Sequence, residues 1–281
     1  MAAICPTRAL LLLLRPHPAS VGDAAAAASH HYWSDHLTTC YTGAYGPFAR
    51  SQTGNAMTAG TASARRRSIG LVDAAREFAR HPTPWLLGAA LLLTATWRAR
   101  LGPLGARDAL VVVGYLAAFP FIEWVIHTSL LHWRPRRLGP VTLDPLVARK
   151  HREHHADPQD VELIFIPLPA LAAAAAAIAA IALLVPSRPL GATFAVTAVA
   201  LGCIYEWTHY LVHTDYRPKT ALYRAIWRHH RLHHYKNERY WFTVTTASTA
   251  DRVLGTQPDP REVPTSPTAT TASAGLGDRV P

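Results

Sequence analysis

The chain has 281 residues, with 28 Lys and Arg against 18 Asp and Glu and a formal charge of +10. Charged residues make up 16% and apolar residues 49%, against about 25% charged in an average soluble domain, so an apolar middle lies between more polar ends. Cys5, Cys40 and Cys203 are too few and too far apart for a disulfide scaffold or a Cys-x-x-Cys metal knot, and the absence of G-x-G-x-x-G and Walker loops excludes nucleotide hydrolysis. A basic chain with long apolar runs points to a membrane surface before it points to nucleic acid.

In chain order, residues 1–68 carry Ala, Ser, Thr and Gly without a sustained period and are expected to be disordered or a non-native extension. The run from Arg8 to Arg15 is too short for a secretory signal. Met57, just ahead of Arg65-Arg66-Arg67, is the expected true start, with 1–56 as upstream translation. Residues 69–256 form the expected membrane domain. They hold an amphipathic piece (69–80) and apolar stretches at 84–97, 109–131, 163–185 and 190–212. The first is short for a hydrocarbon core of about 30 Å. The short connections 98–107 and 186–189 make two helical hairpins, about four spans, with both chain ends and the middle loop on one side. That side carries Arg134, Arg136, Arg137, Arg149, Lys150 and Arg152 after the second stretch and a similar basic run after the fourth, and the positive-inside tendency makes it cytoplasmic. Residues 257–281, rich in Pro, Thr, Ser and Ala, are expected to be a disordered tail.

Eleven of the 16 histidines fall between positions 127 and 234. His127 and His132 form H-x4-H, and His151, His154 and His155 form H-x2-H-H. His209 and His213 form H-x3-H, and His230, His233 and His234 form a second H-x2-H-H with His229 beside it. Helical positions three and four apart share a face, so each group aims two or three imidazoles one way. Glu123-Trp124 precedes one series and Glu206-Trp207 the other, an internal echo that sets two similar ligand groups face to face. Ten imidazoles exceed the needs of one metal; two metals with open positions is the economical reading, and imidazole alone leaves Zn, Cu, Fe and Ni open. Glu123 and Glu206 are placed to accept the second ring N–H of a ligand. The nearby Arg149, Lys150, Arg152, Arg228 and Arg231 would keep the rings neutral. His151-Arg-Glu-His-His155 lacks the zincin order, and Glu206-Trp-Thr-His209 is one E-x-x-H where a carboxylate diiron bundle needs two. His17, His30, His31, His36 and His81 have no such company and receive no role.

The order H-x4-H, H-x2-H-H, H-x3-H, H-x2-H-H over two hairpins resembles the fatty acid hydroxylase and sterol desaturase superfamily, with spacing most similar to its fatty acid 2-hydroxylase branch. The segment from His234-Tyr-Lys-Asn-Glu-Arg-Tyr-Trp-Phe to Asp251-Arg-Val-Leu-Gly-Thr256 is similar to that superfamily's closing segment, although Thr243 stands where glycine is common and Ala250 where an aromatic often precedes Asp-Arg. The resemblance covers about residues 84–256. It implies an integral membrane protein, in the plasma membrane if bacterial, with a non-haem centre of two Fe ions on the cytoplasmic face. It carries the ligand role onto His127, His132, His151, His154, His155, His209, His213, His230, His233 and His234, with O2 as cosubstrate and a lipid C–H bond as target. No His-Pro-Gly-Gly segment of a fused cytochrome b5 is present, so the expected electron donor is a separate ferredoxin or cytochrome with its reductase. Sterol or carotenoid oxidation remains open, as does a histidine-rich metal transporter, though a transporter wants ligands near the bilayer midplane. The expected architecture is an all-α membrane protein of two helical hairpins with a cytoplasmic helical cap carrying a dimetal site.

Overall fold

A computed structural model describes residues 68–269, so the expected extension with its start at Met57, and the last part of the tail, lie outside the described residues. Two short helices lead in. Helix α1 (Leu71–Phe78) is amphipathic, and α2 (Pro82–Ala99) opens on a proline in its first turn, where the missing N–H costs nothing. Helix α3 (Ala106–Ile126) begins where Asp108 accepts the Gly105 N–H at 2.8 Å, and it runs directly into a π turn, His127–Leu131. A hairpin of β1 (Arg136–Leu138) and β2 (Val141–Leu143) follows, then α4 (Leu146–Ala156), α5 (Val161–Ile164), α6 (Leu168–Leu184), α7 (Arg188–His213), α8 (Ala221–Tyr235) and α9 (Thr249–Val253).

The helical class holds, with one correction. Residues expected in an all-α chain form an antiparallel hairpin because Gly139, at φ +61°, and Pro140 turn the chain back so that Val141 and Thr142, both β-branched, pair with the preceding Arg136–Leu138. Three segments are long and apolar enough to cross a membrane: Ala106–Leu131, Val161–Leu184 and Arg188–His213. The stretch 84–97 lies within α2, whose 18 residues span about 27 Å; with two prolines in its first turn and Trp97-Arg98 in its last it is not apolar enough over that length to be one of the three.

Helix α7 is the axis of the bundle, packing against α2, α3 and α6. The α6–α7 turn is so close that a Cβ on Gly191 would lie 2.1 Å from the Ala182 carbonyl oxygen, so only glycine fits there. At that same end Arg98 is buried. Its guanidinium meets Asp108 at 2.9 Å, Thr193 Oγ1 at 2.7 Å and the Gly102 carbonyl at 2.9 Å, joining the ends of α2, α3 and α7. Helices α3 and α7 therefore run parallel, and both deliver their C-terminal ends to the opposite side, where the histidines are.

The tail expected to be mobile from Gln257 onward is in place as far as Ala269. Val263 packs with Leu232 and Trp241, Asn237 Nδ2 donates to the Pro264 carbonyl at 3.1 Å, and the Ser266 N–H donates to the Lys236 carbonyl at 2.9 Å. One buried valine and these backbone bonds overcome the polar composition that argued for disorder.

Candidate metal centre

All ten histidines gather at the C-terminal ends of α3 and α7, in two groups of five. One holds His127, His132, His151, His155 and His233; the other holds His154, His209, His213, His230 and His234. Within each group the ligand atoms lie within 4.8 Å of one another. In an α-helix His127 and His132, five apart, would diverge. The π turn resolves this: its i to i+5 pairing, with the His132 N–H donating to the His127 carbonyl at 3.0 Å, stacks the two rings at 5.1 Å.

The grouping crosses the sequence halves. His151 and His155, four apart on α4, face one group, while His154 between them faces the other. On α8, His230 and His234 face the second group and His233 turns to the first. Positions i+3 and i+4 lie about 60° and 40° to opposite sides of i, so the rings of one H-x2-H-H, expected to aim one way, divide between the two groups. Helices α4 and α8 thus lie between the groups and feed both, with the His155 and His234 rings stacked at 4.2 Å across the boundary.

These nitrogens cannot all be hydrogen-bonded to each other. The Nδ1–H of His127 donates to the Phe242 carbonyl, that of His233 to the Tyr240 carbonyl at 2.7 Å, and that of His209 to the Ile164 carbonyl at 3.0 Å. A neutral ring protonated at Nδ1 presents a bare lone pair at Nε2. Yet His233 Nε2 lies 3.2 Å from His132 Nε2 and 3.1 Å from His155 Nε2, and His209 Nε2 is buried with no hydrogen-bond partner. Two ring nitrogens about 2.1 Å from a shared cation and at right angles to each other stand about 3.0 Å apart. The residues therefore fit two metal ions, one per group, in all-imidazole surroundings that suit Fe, Zn, Cu or Ni.

Burial, then the neighbouring histidines, hold His151, His154, His155, His230 and His234 well below the ordinary imidazole range. Burial also lowers His233, to about 4, against the opposing bond to the Tyr240 carbonyl. The arginines expected to keep the rings neutral contribute little to these six; His132, lowered by burial and His233, also has Arg134 as a cause.

The two carboxylates differ from expectation. Among the described residues neither bonds a histidine ring, because backbone carbonyls already occupy Nδ1 of His127 and His209. Each carboxylate instead holds the loop that supplies the carbonyl. Glu123 accepts the N–H groups of Val244 and Thr245 at 2.9 and 3.0 Å, just past Phe242; Glu206 accepts the Ile166 N–H at 3.0 Å, two residues past Ile164.

The residues the sequence left unassigned lie in the closing segment. Asp251, fully buried, takes the Phe242 and Thr243 N–H groups at 2.9 Å each and His229 Nε2 at 2.9 Å, so His229 is a support for this loop. Burial would raise the Asp251 carboxyl; hydrogen bonds from His229, Thr243 and Thr256 outweigh it and hold it below the usual range. The departure at Thr243 is accommodated, its hydroxyl bonding Asp251 at 2.6 Å. Phe242 then covers the first group, its ring 5.4 to 5.7 Å from those of His127, His132 and His233. The Asp-Arg pair at 251 and 252 was the sequence signal for this support. His81 lies apart, stacked on Phe165, and His17, His30, His31 and His36 lie outside the described residues.

A family model described as fatty acid hydroxylase matches residues 112–256, just over half of the 281 residues and all ten ligand positions. The chain belongs to that family. Similar curated proteins are the fatty acid 2-hydroxylases of Mus musculus, 30% identical over 138 residues (49% of this chain, 36% of that protein), and of Homo sapiens, 29% identical over 126 residues (44% and 33%). The match thus spans about a third of the length of these curated relatives. No solved structure matches. The fatty acid hydroxylase family, three helices long and apolar enough to cross a membrane, and two histidine groups that could each hold a metal ion are mutually consistent.

Proposed function

We propose that this domain is a membrane-bound non-haem diiron oxygenase that hydroxylates a C–H bond near the polar end of a fatty acyl chain, using O2 and two electrons from a separate donor. The observation that carries this reading is the pair of five-imidazole groups inside the region matched by the hydroxylase family. The family and the name of the relatives support a fatty acyl substrate, oxidised at the carbon next to its head group.

His127, His132, His151, His155 and His233 would hold one iron and His154, His209, His213, His230 and His234 the other. An aliphatic C–H bond has no proton acidic enough for side-chain acid–base chemistry, and bound iron would supply the O2-dependent oxidising power that the side chains lack. The protein's own part is preorganisation. Buried rings stay neutral, so their lone pairs are available without a proton being displaced. The Phe242, Tyr240 and Ile164 carbonyls fix three ring orientations, and Phe242 screens one side of the centre from water. Placing the ligands at the span ends lets an acyl chain remain in the bilayer while its head reaches the polar site.

The basic residues on the histidine side support a cytoplasmic orientation, and their charge would suit an acidic ferredoxin or cytochrome partner. The test is lipid mass spectrometry of cells with and without the protein, alongside the His154→Ala variant. The proposal expects fatty acyl species one oxygen heavier that vanish in the variant; species short of two hydrogens would show desaturation, and an unchanged lipid profile would refute it.

A further inference from the structure

The β1–β2 hairpin is the part of the described chain that the metal centre does not use. In its register Leu138 faces Val141 and Arg136 faces Leu143, so these four side chains share one face, with Arg137 and Thr142 on the other. The shared face is uncovered by protein: Leu138 is 63% exposed, Val141 62% and Leu143 43%. A lone two-stranded hairpin is marginal in water, and an apolar face left in solvent gains nothing. The base is nonetheless well anchored. Arg152 holds Asp144 at 2.7 Å and donates to the Trp133 carbonyl at 3.0 Å, and the Arg136 guanidinium stacks 4.7 Å from the Trp133 ring.

Position and charge indicate what covers this face. The hairpin starts five residues after Leu131, the last residue of a segment fit to cross the membrane, and Leu130 on that last turn is itself exposed. Trp133 is the side-chain type that settles at the level of lipid head groups. Arg136 on the apolar face and Arg137 on the other add positive charge where anionic head groups lie. We propose that the hairpin is a membrane-interface element, its Leu138, Val141 and Leu143 face seated in the head-group region of an anionic bilayer and its arginines bound to lipid phosphates. This inference stands apart from the oxidation chemistry, since it concerns a face that no ligand occupies.

The test uses the full chain, one copy per lipid nanodisc, with Cys5, Cys40 and Cys203 replaced by serine. An environment-sensitive dye is attached at Val141→Cys or, one residue on and on the opposite face, at Thr142→Cys. The proposal expects bright emission at 141 that is quenched several-fold more by shallow spin-labelled lipids than by aqueous iodide, with the reverse order at 142. It also expects the lipid quenching at 141 to fall when phosphatidylglycerol is replaced by phosphatidylcholine, or in the Arg136→Gln, Arg137→Gln variant. Equal iodide quenching at both positions would overturn it. So would a position 141 shielded from iodide but untouched by spin-labelled lipid, or lipid quenching indifferent to lipid charge.

Discussion

At one end of the helix bundle Arg98, Asp108 and Thr193 bury a charge pair whose partners are all within the protein, whereas at the other end ten imidazoles, all but His132 buried, turn ring nitrogens toward one another. The first arrangement is self-sufficient: the guanidinium is met by a carboxylate, a hydroxyl and backbone carbonyls. The second is less closed: His209 Nε2 has no hydrogen-bond partner, and ring nitrogens of both groups stand 3.1 to 3.2 Å apart, a spacing that suits ligands of a shared cation. The difference separates what holds the bundle together from what it holds in readiness. The same helices, α3 and α7, serve both ends.

The crossed ligand pattern gives the largest expected effects. Removing His154 should empty the group otherwise built from α7 and α8, and removing His233 the group built from α3 and α4. Each single alanine variant should lose about half of the metal and activity should fall by at least about 100-fold, beyond the 10–100-fold typical of supporting residues. His154→Ala combined with His209→Ala should lose no more metal than either alone, while His154→Ala with His151→Ala should lose nearly all of it. Elemental analysis of the four proteins reads this directly.

The opposite end should respond in stability alone. Arg98→Met leaves the Asp108 carboxylate without its cation and should lower the unfolding free energy, with metal content per folded chain unchanged. A loss of metal in that variant would show that the two ends are not independent.

A smaller contrast lies within the histidine end. Glu123→Ala orphans one buried and one half-buried backbone donor and should cost about 2–3 kcal/mol, against about 1 kcal/mol for Glu206→Ala, which orphans one half-buried donor. Metal affinity should fall more in the first: both loops supply a ring acceptor, but the Glu123 loop also carries the Phe242 ring that covers His127, His132 and His233. Thermal unfolding and metal titration of the pair would check both statements.

The smallest effect is on pH. His233 titrates at about 4 in the fold against an ordinary 6.5. Between these values the unfolded chain takes up a proton that the folded metal-free chain refuses, so stability falls as pH drops from about 6.5 toward 4, and above that window this group adds no pH dependence. The other depressed histidines add to the slope in the same window, so melting temperatures of the metal-free protein with and without His233→Ala would show this group's share. Arg98→Met should leave the slope unchanged.

Much of the site was legible because imidazoles are scarce enough that four closely spaced groups stand out. The crossing of His154 and His233 was not read: each H-x2-H-H was expected to aim its rings one way, whereas the roughly 100° between i+3 and i+4 on a helix divides it between the two groups. What could not be read was backbone. The π turn under His127 has no side-chain signature in His-Thr-Ser-Leu-Leu-His, and the carbonyl acceptors at Ile164, Tyr240 and Phe242 depend on loops 45, 7 and 115 residues from their histidines. Glu123 and Glu206 were placed beside the right ligands but one link too near, because a backbone carbonyl reached the ring first. In the fold, the short hairpin and the seated part of the tail were missed for a common reason. Each rests on a few specific contacts, Gly139 and Pro140 in one and Val263 in the other, which composition averages away.

The central claim is that two cations complete the histidine end. Elemental analysis of the purified full chain, joined to X-ray absorption at the iron edge, tests it most directly. The account predicts two iron atoms per chain in nitrogen-dominated surroundings. A folded chain that takes up no iron, or iron surrounded mainly by oxygen or sulfur, would contradict it.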